Sequence, residues 1–291
     1  MTPSRALALA LPPLAAVVAL AGCGGGGGTQ TPTIQKALTT HTVDFQPSAP
    51  VAAGKPVTVS FRIVQPSGDK LVTMTRFRTG SGPHTGVHMI IVRDDLGAII
   101  HRHPPMNPDG SFKQEITFPT PGKYRVVLDV YPASGPAPNF QLLDRSVTVK
   151  GPYTPQPLPP PSTTANVDGY HFKITKVVPA KLRAIDPALI SMTVTDPQGK
   201  PVKLTPWYGA LAHAIFFHQG RFEYFHTHVC SPGAGGCTSV LAGNKVTGSS
   251  ATPGKLTVGV ILPDSGTWRL FLQMKDGTKV LTAPFVLRVA A

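Results

Sequence analysis

The sequence predicts an all-β chain: two tandem immunoglobulin-like β-sandwich domains behind a lipoprotein signal peptide and a flexible tether. Three observations carry that expectation. The 291 residues include 29 glycines and 32 prolines, a density that long helices do not tolerate, because Gly and Pro cost about 1 and 3 kcal/mol in helix interiors. β-Branched and aromatic residues recur in short runs bounded by Pro-Gly and Pro-Ser-Gly, the pattern of strands and turns. The two halves of the chain also repeat each other. With 41% hydrophobic residues the chain can build packed cores, which excludes disorder throughout, and its length fits roughly two domains.

Residues 1–22 read as a secretory signal peptide, with an early positive charge at Arg5 and an apolar stretch from Ala6 to Leu20. Pro12 and Pro13 interrupt that stretch, and it is too short to span a bilayer well. Leu20-Ala21-Gly22-Cys23 resembles the bacterial lipobox, which implies cleavage before Cys23, lipidation of its sulfur and a membrane anchor on the extracytoplasmic face. Gly24 to Gly28 make residues 23–40 a lipidated flexible tether. The first sandwich, residues 41–150, contains strand patterns at 57–64, 87–93, 98–103, 124–130 and 146–149. Residues 151–165 hold six prolines in fifteen positions, an extended linker that cannot join a sheet interior. The second sandwich, residues 166–291, repeats the pattern at 189–195, 268–274 and 284–289.

Three blocks define the duplication. His88, His101 and His103 match His213, His226 and His228 at a constant offset of 125. Upstream, Ser60 to Gly68 parallels Ser191 to Gly199 at an offset of 131; downstream, Phe118 to Leu128 parallels Leu262 to Leu272 at 144. Insertions therefore separate the blocks, and the second half carries the longer stretch after its histidines, with Cys230 and Cys237. Tyr124 and Trp268 occupy matching positions and read as core aromatics.

Eight of the ten histidines fall between residues 84 and 103 or between 213 and 228. Side chains at i and i+2 of a strand share a face, so His101 joins His103 and His226 joins His228. A hairpin turn at Asp94 to Gly97, and one at Gln219-Gly220 pairing His213 with His226, bring His88 and His213 to the same faces. Each half then offers three imidazoles to one ion, with metal–nitrogen distances near 2.0 to 2.1 Å. Imidazole suits copper or zinc ions among others. Candidate additional ligands are His84 in the first half and Cys230 in the second, while Met106 lies close enough to His103 to favour Cu(I) if its loop folds back. His218 has the opposite parity and is expected to be exposed. The alternative is that the histidines are structural.

Cys230 and Cys237 read first as a disulfide closing a small loop in an oxidising compartment, with metal ligation as the other use. The +13 net charge comes from scattered basic residues without a recognition motif, which argues against nucleic acid and leaves an unspecific attraction to an anionic envelope. Catalysis is disfavoured. The carboxylates Glu115 and Glu223 sit in no H-E-x-x-H arrangement, and no G-x-S-x-G elbow is present.

The Gly82 to His88 segment followed by His101-Arg-His103-Pro104, and Tyr208 to His213 followed by His226-Thr-His228, resemble the YtkA-like and FixH-like modules of exported bacterial proteins. That resemblance implies an exported β-sandwich with a copper-related role. The second half departs from it at Val229 and in its cysteine loop, so two sites of unequal affinity are expected. The resulting expectation is a non-enzymatic, lipid-anchored surface protein with one histidine triad per domain, acting in metal capture, transfer or envelope homeostasis, with another envelope protein as a candidate partner. The alternative is a structural or adhesive surface module.

Overall fold

The structure, a computed structural model, describes residues 42–47, 50–64, 86–131 and 140–291. The signal peptide, the tether with Cys23, and His84 lie outside the described residues, among which there is no helix and the architecture is all-β.

In the first half the strands are β1 (Thr42–Pro47), β2 (Pro56–Val64), β3 (Val87–Arg93), β4 (Ile99–Arg102), β5 (Ser111–Thr117), β6 (Gly122–Val130) and β7 (Phe140–Val149). They form a sheet of order β1-β2-β5 facing one of order β4-β3-β6-β7. Alternation in β2 sends Val57, Val59, Phe61 and Ile63 inward, and Phe61 stacks on Phe112 of β5 at 4.7 Å. The architecture is the sandwich that the sequence predicts, with β1 and β5 added to the five strands read from the pattern.

The second half contains β8 (Thr164–Val167), β9 (Tyr170–Val178), β10 (Leu182–Arg183), β11 (Ala188–Thr195), β12 (Ala212–His218), β13 (Tyr224–Cys230), β14 (Thr238–Leu241), β15 (Asn244–Thr252), β16 (Lys255–Val260), β17 (Gly266–Asp276) and β18 (Lys279–Ala290). β9-β11-β16 and β13-β12-β17-β18 repeat the two sheets of the first half, but here they join. β15 pairs in parallel with β13 at Val229↔Gly248 and antiparallel with β16. Glycine permits that seam, since a Cβ on Gly248 would collide with the His228 carbonyl oxygen. The insertion after the second histidine block thus turns two layers into one continuous sheet. β8 begins at Thr164, so the strand starts inside the Pro-rich stretch, as an edge strand beside β9.

Tyr124 and Trp268 are both fully buried, and each donates to the carbonyl four residues before it: Tyr124 Oη to Thr120 O at 2.9 Å and Trp268 Nε1 to Asp264 O at 3.0 Å. The repeat therefore preserves a bond as well as a residue class.

β3 and β12 are covered on both faces. Met89 and Ile91 enter the first core, and Ala212, Ala214 and Phe216 the second. The opposite faces meet each other, packing Ile90, Val92, Leu96 and Val127 against Ile215, Phe217, Tyr224 and Phe271. Leu158 of the linker packs there too, and Gln156 N donates to Asp95 Oδ2 at 3.2 Å. The Arg125 guanidinium lies 3.9 Å from the ring centroid of Phe222, a cation–π contact between the halves. One end of the interface is apolar. The histidines occupy the same two faces beyond it.

Candidate metal centre

Register decides where the rings go. In the first hairpin Val92 opposes Ile99, Ile90 opposes His101 and Met89 opposes Arg102, so the next pair along the ladder is His88 with His103. Arg93 N donates to Ala98 O at 2.9 Å and closes the turn at 94–97. In the second hairpin His213 opposes His228 and Ile215 opposes His226. The expected Gln219-Gly220 turn is corrected here. His218 N donates to Glu223 O at 2.9 Å, closing a four-residue turn in which Gly220 and Phe222 take positive φ of 91° and 62°. The register slides by two residues, which keeps parity, so the three histidines still share a face.

Because the two histidine faces oppose each other, all six rings form one buried cage. His88, His101 and His213 are 0% exposed, His228 is 1%, His103 is 5% and His226 is 7%. Three trios have nitrogens within 4.8 Å of one another: His88 with His101 and His103, His88 with His226 and His228, and His101 with His213 and His226. The expectation of one independent triad per half is corrected by this grouping. Among the described residues, His213, His226 and His228 form no such trio by themselves; each trio they enter includes a ring from the first half. Two nitrogens on one tetrahedral ion at 2.0 to 2.1 Å sit about 3.4 Å apart. His101 Nε2 and His103 Nε2 are hydrogen-bonded at 2.9 Å, and His213 Nδ1 and His226 Nε2 at 3.3 Å, so the second pair stands near ligand spacing and the first must open by about half an ångström to admit an ion.

Outer partners aim the rings. Gln273 spends its amide N–H on Thr282 Oγ1 and presents Oε1 to His101 Nδ1 at 3.0 Å, leaving His101 Nε2 as the lone pair facing His103. His213 Nε2 donates to the Trp207 carbonyl at 2.9 Å, leaving Nδ1 toward His226. His88 Nδ1 lies 3.6 Å from Asp129 Oδ2, and Tyr131 donates to that same oxygen. Such partners fix tautomer and orientation in metal-binding histidines. Tyr208, in the turn before β12, stacks on His103 with centroids 4.0 Å apart and caps the cage from the second half.

Burial pushes the pKa values of His101, His103 and His226 well below the ordinary 6.5, and the neighbouring imidazoles push the same way. Neutral rings are the form that ligates. Both nitrogens of His88, Nδ1 of His103 and Nδ1 of His226 are buried without a hydrogen bond. Leaving such groups unsatisfied costs about 1 to 3 kcal/mol each.

His218 supplies the contrast. It is buried, 6% exposed, rather than exposed as parity suggested. Its Nε2 donates to Ser265 O at 3.0 Å and its ring packs edge-on to Trp268. The reason is that the sheet face opposite the cage is the core face, which the turn does not free. Cys230 and Cys237 form the expected disulfide, which withdraws the Cys230 thiolate from the list of ligands. Met106 packs against the first core. Sequence reasoning passed over Asp129, Gln273, Trp207 and Tyr208. A signal for the first two was present: they occupy matching positions at the offset of 144, each a polar residue in an apolar strand run.

A family model described as a domain of unknown function (DUF8832) matches residues 36–137 and 165–291. No curated protein matches the chain. Among solved structures, similarity is found to FdeC, an adhesin of Escherichia coli, at 15% identity and a TM-score of 0.24, over 86% of this chain and 64% of that one. The fibronectin(III)-like modules of Clostridium thermocellum CbhA align at 12% identity and a TM-score of 0.19, over 86% and 95%. A putative membrane anchored protein of Corynebacterium diphtheriae aligns at 10% identity and a TM-score of 0.22, over 87% and 59%. The chain spans less than two thirds of the length of the first and last of these. Likeness at this level carries nothing about function.

Proposed function

The chain belongs to the DUF8832 family, a domain of unknown function, and we propose that it is a non-catalytic, lipid-anchored envelope protein that binds copper or zinc between its two sandwich halves. One observation carries this reading: six buried imidazoles converge in three overlapping trios, and four of their nitrogens lack any hydrogen bond. His218 also leaves its Nδ1 without a hydrogen bond, but it enters no group of imidazoles: its Nε2 donates to Ser265 O and its ring packs on Trp268. The donor set is all imidazole, which suits copper or zinc better than magnesium or calcium. Capture, transfer or homeostasis of that metal in the envelope is the role we assign.

Elemental analysis of the full mature chain, purified without an affinity tag and exposed to Cu(II) or Zn(II), tests the reading. The wild type should retain the ion after desalting. His101→Ala with His226→Ala interrupts all three trios and should abolish retention. A surface module with structural histidines would instead show no metal in either form and a lower melting temperature in the double variant.

A further inference from the structure

Resting on that reading, and deepening it, we propose that the cage holds two ions and that His88 is the ring they share. One tetrahedral ion takes at most four imidazoles, and six are present. The trios overlap by single rings. His88 is common to the trio with His101 and His103 and to the trio with His226 and His228; His101 and His226 are the other two corners. A ring can serve two ions only if both its nitrogens are available.

His101 does not qualify, because its Nδ1 is held by Gln273 Oε1 at 3.0 Å. His226 keeps Nδ1 but turns Nε2 toward His213 Nδ1 at 3.3 Å. His88 is buried with neither nitrogen in a hydrogen bond, and the Asp129 carboxylate stands 3.6 Å from Nδ1. One ion therefore sits on His88, His101 and His103, and the other on His88, His226 and His228. His213, held by the Trp207 carbonyl, braces His226.

Each ion gains three metal–nitrogen bonds. The shared ring gives one nitrogen to each ion, so the single proton of its neutral form passes to solvent, and no electrons are transferred. The resulting imidazolate places a negative charge between the two cations. Asp129 adds a second beside them, which offsets part of the cost of burying positive charge.

The test is titration of the full mature chain with Cu(II), with copper counted by elemental analysis after desalting and unpaired spins counted by EPR at low temperature. The expected result is two coppers per chain with a spin count well below the copper count, because the shared ring couples the two unpaired electrons. His88→Ala should saturate at one copper, held by His101, His213 and His226. His101→Ala, which leaves the shared ring with His226 and His228 in place, should retain one copper with a full spin count, and it provides a check independent of how His88→Ala folds. Saturation of the wild type at one copper overturns the proposal and leaves metal binding standing, as does saturation at two with a full spin count. No copper at all overturns both.

Discussion

The two histidine arms have the same spacing in sequence and the same register in their hairpins, yet they are not equivalent. The first arm forms a trio alone; the second forms one only with a ring borrowed from the first. The cause lies in what holds the rings from behind. His213 is turned by the Trp207 carbonyl. At matching positions of the repeat, the first half has Asp129 beside its own His88 while the second has Gln273 reaching across to His101. Spacing determines which face a side chain occupies. The outer partner determines where its lone pair points.

The largest effect should come from removing one arm at a time. Replacing His213, His226 and His228 together by Leu, which fills the volume without a ring nitrogen, should leave the trio of His88, His101 and His103 able to hold one ion. Replacing His88, His101 and His103 together by Leu should leave no retained ion, although three histidines remain in both variants. Elemental analysis of the two proteins, with circular dichroism to confirm strand content, checks this; equal retention by both would mean that the two arms are equivalent.

Acid should come next in size. The folded-state pKa values of His101, His103 and His226 are lowered well below 6.5, so below that pH the unfolded chain binds protons that the folded chain refuses. Stability of the metal-free protein is then fully present above about pH 6.5 and falls as pH drops below it, by about 1.4 kcal/mol per pH unit for each such histidine. Urea midpoints at pH 7.5 and 5.5, measured in the presence of a chelator, should show the loss. His101→Leu should make the slope shallower. A flat profile in the wild type would mean that the rings are hydrated and the cage open.

Much of this was readable from the residues. The strands around the two histidine hairpins, the duplication, the shared face of each histidine set and the buried pair Tyr124 and Trp268 follow from period-two patterning and from the repeat itself; the strands at 42–47, 111–117 and 238–260 do not. The turn after β12 has four residues where the sequence predicts two, and parity survives because the register moves by two. The meeting of the two faces was missed, although a trace was present: Met89-Ile-Ile-Val and Ala214-Ile-Phe-Phe run apolar without alternation, as strands buried on both sides do. Periodicity shows that a second face is covered and is silent on what covers it. The parallel seam through Gly248 was not legible, since its cause is a backbone approach between strands far apart in sequence.

A smaller effect should come from a residue behind the cage. Gln273→Leu removes the acceptor that fixes the His101 tautomer, without touching any of the six rings. Its Oε1 is the partner of His101 Nδ1, and its Nε2 is anchored by Thr282 Oγ1, so the substitution frees the ring to rotate and its proton to move to Nε2. Loss of such a partner typically weakens a metal site by about 10- to 100-fold. Competition titration against a chromophoric chelator should show that drop, with an unchanged number of ions bound. Because Gln273 belongs to the second half and His101 to the first, an affinity loss would show that the first arm's completeness depends on its neighbour. Unaltered affinity would instead mean that strand register alone positions the first trio.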